Sequence, residues 1–192
     1  MSRWATFSKR LLPWFLLFLL TPPQPASGKV LLTADEALSL AFPDCVYERR
    51  TVYLTAAQLQ RARQLAGVEL PTALVYPYVA ARGGTRVGTA YFDRHPVRSL
   101  TETLMVVVDP QGKVARVEVL AFNEPENYLP RAGWYQQFLG RKLAGSDLDR
   151  SIHGISGATL TARATTQAVR RVLAIHQVLE LDLKPESRPS PR

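Results

Sequence analysis

Thr103-Leu104-Met105-Val106-Val107-Val108-Asp109-Pro110-Gln111-Gly112-Lys113-Val114-Ala115-Arg116-Val117-Glu118-Val119-Leu120-Ala121-Phe122 is the stretch that decides the fold. Leu104 to Val108 is apolar at every position, as expected of a central strand covered on both faces. Asp109-Pro110-Gln111-Gly112 has strong turn chemistry, because Pro presets one backbone angle, Asp bonds nearby N–H groups and Gly accepts positive φ. In the returning arm, Ala115, Val117, Val119 and Ala121 face one way while Arg116 and Glu118 face the other. The pattern predicts a β-hairpin at the centre of an antiparallel sheet with one wetter face, and an α+β fold in which helices pack on that sheet.

Downstream, Asn123 to Pro130 leaves the sheet, and Pro125 and Pro130 keep it irregular. Ligand contacts tend to gather on loops that a sheet holds in place, and a plain surface loop with Tyr128 packed down explains this segment equally well. Gly133 to Leu139 reads as a short helix, in which Trp134 and Tyr135 are either ring-stacking partners or core. Next comes Ile152-His153-Gly154-Ile155-Ser156-Gly157-Ala158-Thr159-Leu160-Thr161, small and hydroxylated residues at the head of the longest helical pattern. Gly157 and Ala158 let backbone pass close to a ligand, and a helix start offers free N–H groups and a positive dipole end to an anion. On residues alone this is a weak signal, and a loop whose Thr simply caps a helix is the commoner reading. From Leu160 to Leu179 the ridge Leu160, Ala164, Ala168 and Val172, with Val169, Leu173 and Leu179 beside it, predicts burial against the sheet, and Arg163, Arg170 and Arg171 fall on the opposite side.

Ser156-Gly157-Ala158-Thr159-x-Thr161 resembles the flavinylation motif of the FMN-binding domain family, found in subunits of the Rnf and sodium-pumping NADH:quinone oxidoreductase complexes and in small exported bacterial proteins. The resemblance runs from about Leu100 to Val178 and includes two strands, a Glu-bearing loop, a short aromatic helix, the Thr motif and a final helix. It implies that Thr159 carries FMN through a phosphoester placed there from FAD by a flavin transferase, that Ser156, Gly157, Ala158, Leu160 and Thr161 surround the phosphate, and that the Glu-bearing loop lies near the flavin, which makes Glu124, Tyr128 and Leu129 candidate site residues. It further implies an electron carrier or redox-complex subunit with membrane or periplasmic redox partners, rather than an enzyme with its own substrate. The alternative is a domain that holds FMN without a bond, or a flavin-free accessory subunit. The family pattern usually begins with Asp six positions before the acceptor; this chain has His153 there, which makes His153 a further candidate residue.

Upstream, Thr33-Ala34-Asp35-Glu36 and Thr55-Ala56-Ala57-Gln58 are capping boxes that predict two helices, the second ending at Gly67. Val46 to Leu54 reads as a strand between them, and Gly83-Gly84 as the turn of a further hairpin. Residues 1–28 read as a signal peptide: Lys9-Arg10, an apolar core from Leu11 to Leu20, then Ala26-Ser27-Gly28 ahead of a cleavage point. That predicts a periplasmic or other extracytoplasmic protein, with retention of the segment as a membrane anchor as the alternative. The expected organisation is a signal peptide at 1–28, an α/β extension at 29–99 packing on the core, an FMN-binding domain at 100–180 and a disordered tail at 181–192.

The net charge of +8 includes Arg3, Lys9 and Arg10 of the signal segment, and the remaining basic residues are scattered, so no stripe tracks a nucleic-acid backbone. Cys45 is the single cysteine, which excludes an internal disulfide. His95, His153 and His176 have no second ligand at metal spacing and no Cys-x-x-Cys-His haem signature accompanies them, so neither a metal nor haem is expected. His95 is read as a hydrogen-bonded loop histidine or as a residue that approaches the cofactor.

Overall fold

The computed structural model describes residues 29–143, 148 and 152–183, without the side chains of 181–183. The expected signal peptide at 1–28 and residues 184–192 of the expected tail lie outside the described residues. Strands β1 (Lys29–Val30), β2 (Val46–Arg49), β5 (Tyr78–Arg82), β6 (Thr85–Pro96), β7 (Thr101–Val108) and β8 (Val114–Phe122) form one curled antiparallel sheet in the order β1-β8-β7-β6-β5-β2. A separate pair joins β3 (Val52–Tyr53) to β4 (Leu74–Val75). Helices α1 (Ala34–Ala41), α2 (Ala56–Ala66), a short α3 (Ala132–Tyr135) and the long α4 (Thr159–Leu183) complete the fold.

Both capping boxes form. The Thr33 and Thr55 hydroxyls accept from the backbone N–H of Glu36 and Gln58, whose side chains accept from the Thr33 and Thr55 N–H in return. Gly67 ends α2 at φ 64°, a left-handed position that costs Gly little. The expected strand from Val46 to Leu54 breaks at Arg50-Thr51 into β2 and β3, which belong to different sheets, as the Arg50 N–H turns aside to the Pro77 carbonyl at 2.9 Å.

β7 is covered on both faces. Leu104, Val106 and Val108 meet α3 and α4, while Met105 and Val107 meet Ala37, Leu38 and Phe42 at α1. The strict alternation expected of β8 is corrected by two bulges. Leu104 pairs with Val119 but Thr103 with Ala121, which leaves Leu120 unopposed; Val107 pairs with Arg116 but Val108 with Val114, which leaves Ala115 unopposed. Each extra residue swaps the faces beyond it. The α4 side therefore receives Val114, Val117, Val119 and Phe122, while Leu120 turns to the α1 side and Ala115 is exposed.

Helix α4 lies on the sheet through Ala162, Ala168, Val169, Val172 and Leu173, and α2 packs on its later turns where Ala62 and Ala66 meet Ala174 and Val178. With two neighbours, the buried arc is wider than a single stripe. Leu160 is 50% exposed, whereas Arg171, expected outside, is 9% exposed and turned to the sheet. Its guanidinium pairs with Asp93 of β6 through both carboxylate oxygens, at 2.7 and 3.0 Å.

That ion pair is one end of a buried polar chain. Asp93 Oδ1 lies 2.9 Å from His95 Nδ1, and His95 Nε2 lies 3.1 Å from Glu102 Oε2. Glu102 has no exposed surface and also accepts from the Tyr135 hydroxyl at 3.2 Å and the Thr165 hydroxyl at 2.9 Å. His95 thus sits on strand β6, not in a loop. Burial opposes a charge on its ring, but the carboxyl groups of Asp93 and Glu102 on its two nitrogens outweigh this and raise its pKa. Asp93 shows the converse: burial favours the neutral form, and His95 and Arg171 together hold the pKa below the ordinary value.

A raised histidine pKa contributes stability that is complete below the unfolded value of about 6.5 and is lost as pH rises through the folded pKa. Thermal melts should therefore show the midpoint falling as pH increases above neutrality, and His95→Gln should remove that dependence. Glu102→Leu, which strands three buried donors, should cost about 3–5 kcal/mol in denaturant unfolding.

Candidate functional site

The site is built where the first turn of α4 meets the loop after β8. The Ala162 N–H donates to the Ala158 carbonyl at 2.9 Å, so Ala158 is the capping residue of α4. Alanine carries no side-chain acceptor and is about 0.5–2 kcal/mol poorer at this position than Ser, Thr, Asn or Asp. Among the described residues the longest helix thus begins without a capping side chain, just after Gly157 at φ 87°. Its N–H groups and the positive end of its dipole face a position where an anion is favoured.

A cleft of about 180 Å³ opens there, lined by Arg98, Tyr128, Gly157, Ala158, Thr159, Leu160 and Thr161. Thr159 is exposed, and its hydroxyl donates to the Ile155 carbonyl at 3.1 Å. Thr161 is buried, and its hydroxyl donates to the Tyr128 carbonyl at 2.8 Å, tying the loop to the helix. Ser156 is exposed in the turn before Gly157. Thr159 also lines a second cleft of about 470 Å³ on the side of Arg163, Gln167, Arg170 and the Gly67-Val68 turn after α2.

Arg98 is the residue that sequence reasoning missed. It lies in the turn between β6 and β7, far from the motif in sequence, and its guanidinium stands 5.1 Å over the Tyr128 ring. Among the described residues it makes no ion pair, which leaves a cation beside the uncapped helix end. Nothing within its local sequence marks it; only the path of the β6–β7 turn brings it here.

Glu124 explains how that turn is held. Its Oε1 accepts from the backbone N–H groups of Arg98, Ser99 and Leu100 at 3.0, 2.7 and 2.8 Å, and the residue is 7% exposed. Burial pushes its pKa up, but the three N–H donors and the nearby Arg98 charge prevail and hold it below the usual carboxylate range. Glu124 therefore acts on the cleft through Arg98. Leu129 is half-buried against the core between α4 and the sheet. Trp134 and Tyr135, candidates for ring stacking, are both buried in that core. Trp134 Nε1 donates to the His153 carbonyl at 2.7 Å, while the His153 N–H and Nδ1 both meet Gln137 Oε1, at 2.9 and 3.1 Å. His153 is exposed, lines neither cleft, and fixes the approach to the motif through Gln137. Among the described residues no cluster of three or more His, Cys, Asp or Glu side chains is arranged to hold a metal.

Residues 100–174 match the model of a family described as the FMN-binding domain. Over this segment the chain is similar to the FMN-binding domain family. No curated protein and no solved structure shows a significant match to the chain. The matched segment begins at β7 and ends within α4, so it includes the hairpin, the Glu124 loop and the Thr159 turn, while β1, β2, β5 and β6 of the same sheet precede it. Arg98 stands two residues ahead of the match. The donors around the 180 Å³ cleft suit the phosphate end of FMN: backbone N–H groups, a helix dipole and an arginine.

Glu124→Ala removes one acceptor from three N–H donors, each costing about 1–3 kcal/mol if left unsatisfied. The variant should lose thermal stability and bind FMN less tightly by fluorescence titration, as the turn bearing Arg98 loosens. Because the Glu124 pKa is lowered on folding, its contribution is complete above about pH 4.5 and is lost as pH falls through the folded pKa, so the variant should show a weaker acid dependence in that range.

Proposed function

We propose that the protein is an exported electron carrier whose FMN is attached through a phosphoester to Thr159. The observation that carries this reading is the exposed Thr159 hydroxyl on the first turn of α4, a helix capped only by alanine, beside the Arg98 cation. A phosphodiester at Thr159 keeps one negative charge, which the helix end and Arg98 favour. Bound FMN supplies electron-transfer chemistry, and the protein sets its orientation and access.

In the attachment step, Thr159 Oγ1 forms a bond to the FMN phosphorus of FAD as the diphosphate bond breaks, AMP departs, and the hydroxyl proton passes to a base on the flavin transferase. The β-branch of Thr159 restricts its rotamers and helps present the hydroxyl. Thr161, buried and bonded to the Tyr128 carbonyl, holds the loop and leaves the acceptor role to Thr159. His153 at the place of the family's usual Asp is held by Gln137 and bears on recognition by the transferase. Membrane or periplasmic redox proteins are the partners this reading assigns. Loss of the covalent bond would leave the same cleft as a site for reversible FMN binding, the second reading that the family match supports.

Co-expression with a flavin transferase, followed by denaturing gels and peptide mass mapping, tests the attachment. Wild-type protein should retain flavin after denaturation with FMN on Thr159; Thr159→Val should fold and lose it, and Thr161→Ser should keep it. FMN mapped to Thr161 or Ser156, or absent from folded wild-type protein, would overturn the assignment.

Export rests on the order Lys9-Arg10, Leu11 to Leu20 and Ala26-Ser27-Gly28. A reporter that works only outside the cytoplasm should be active when fused after Arg192 and silent when residues 2–28 are deleted. Activity of a cytoplasm-only reporter at the same position would count against export.

A further inference from the structure

The largest cleft among those described, about 530 Å³, lies away from Thr159 and shares no lining residue with either cleft there. Its place follows from strand lengths. β5 stops pairing with β6 at the Tyr78–Ala90 pair, whereas β6 continues to Pro96 beside β7, so β6 from Tyr91 onward has a strand on one side only. The cleft opens along that free edge, between the 70–78 segment and the middle of α4.

Its wall is aromatic and basic. Phe92 and Tyr78 meet edge to face with ring centroids 5.3 Å apart, and Tyr76 carries the Arg49 guanidinium 4.2 Å over its ring. Arg94 is exposed and makes a single 3.4 Å hydrogen bond, to the Thr101 hydroxyl. Among the described residues neither Arg49 nor Arg94 has a carboxylate partner. The one acid in the lining, Asp93, is already matched by the two-point contact from Arg171 and by His95, so it does not cancel the two free guanidinium groups. Clefts of this size that combine apolar and aromatic walls with a few polar groups are typical of small-molecule sites, and guanidinium groups favour planar anions.

We propose that the cleft along the free edge of β6 binds a planar aromatic molecule carrying an anionic group, with its ring against Tyr76, Tyr78 and Phe92 and its charge against Arg49 and Arg94. This site is independent of FMN attachment at Thr159, and most of its wall precedes the residues that match the FMN-binding domain. FMN is itself a planar aromatic anion, so the test separates the two places.

The probe is anthraquinone-2-sulfonate, titrated into the full chain by calorimetry, with uncharged 2-(hydroxymethyl)anthraquinone as its partner. Binding of the sulfonate should saturate at one molecule per chain and weaken about tenfold or more in Arg49→Gln/Arg94→Gln, which alters two exposed side chains and should leave the melting midpoint unchanged. The uncharged analogue should bind wild-type and double variant alike. Thr159→Val and Arg98→Gln should bind the sulfonate as wild type does. Absence of saturable binding, equal loss of both probes in the arginine variant, or loss of sulfonate binding in Thr159→Val or Arg98→Gln would overturn the proposal.

Discussion

The Glu102 carboxyl group is where the layers of this protein are joined by polar bonds as well as by packing. It stands on the central strand β7 and accepts from β6 through His95, from α3 through Tyr135 and from α4 through Thr165. Apolar contact holds α4 on the sheet but leaves freedom to slide, since dispersion is non-directional. Hydrogen bonds to one fully buried carboxyl are directional and costly to break, so they fix the helix along its axis. The Asp93–Arg171 pair makes a second tie farther along the same helix. Thr159 is six residues before Thr165 on a continuous helix, so the axial position of the motif is set from within the core.

The site depends on that setting because its parts come from separate elements. Tyr128 belongs to the loop after β8, Arg98 to the turn between β6 and β7, and Thr159 to α4. Glu124 holds the turn, Thr161 holds the loop, and the Trp134 and Gln137 contacts with His153 hold the approach. A shift of about one residue's rise along α4, about 1.5 Å, would break the Thr161 bond to Tyr128 and separate Thr159 from Arg98.

Much of this was legible in the sequence where the signal was local. Thr33 and Thr55 cap their helices because a capping box needs only residues three apart, and Gly67 ends α2 for an equally local reason. The hydrophobic run of β7 and the Asp109 turn likewise read correctly as a hairpin. What failed depended on partners distant in sequence. The bulges at Ala115 and Leu120 arise from pairing with β7, and alternation alone cannot show where an extra residue is left unopposed. Arg171 looked solvent-facing until Asp93, far upstream, supplied its partner. Glu124 stood out in the sequence as a candidate site residue, and its carboxylate is directed to three backbone donors of another turn, a role that has no sequence signature.

The alanine cap of α4 has a consequence for the energetics of the whole chain. At α1 and α2 a threonine completes the first turn, so those ends are stable regardless of what is bound. At α4 no side chain fills that place, and any anion that occupies it instead of water stabilises the folded state by mass action. Folding free energy and occupancy are therefore linked through one helix end. The amides of the first turn of α4 become the natural reporters of loading, since their exchange with solvent slows only when an acceptor sits in front of them.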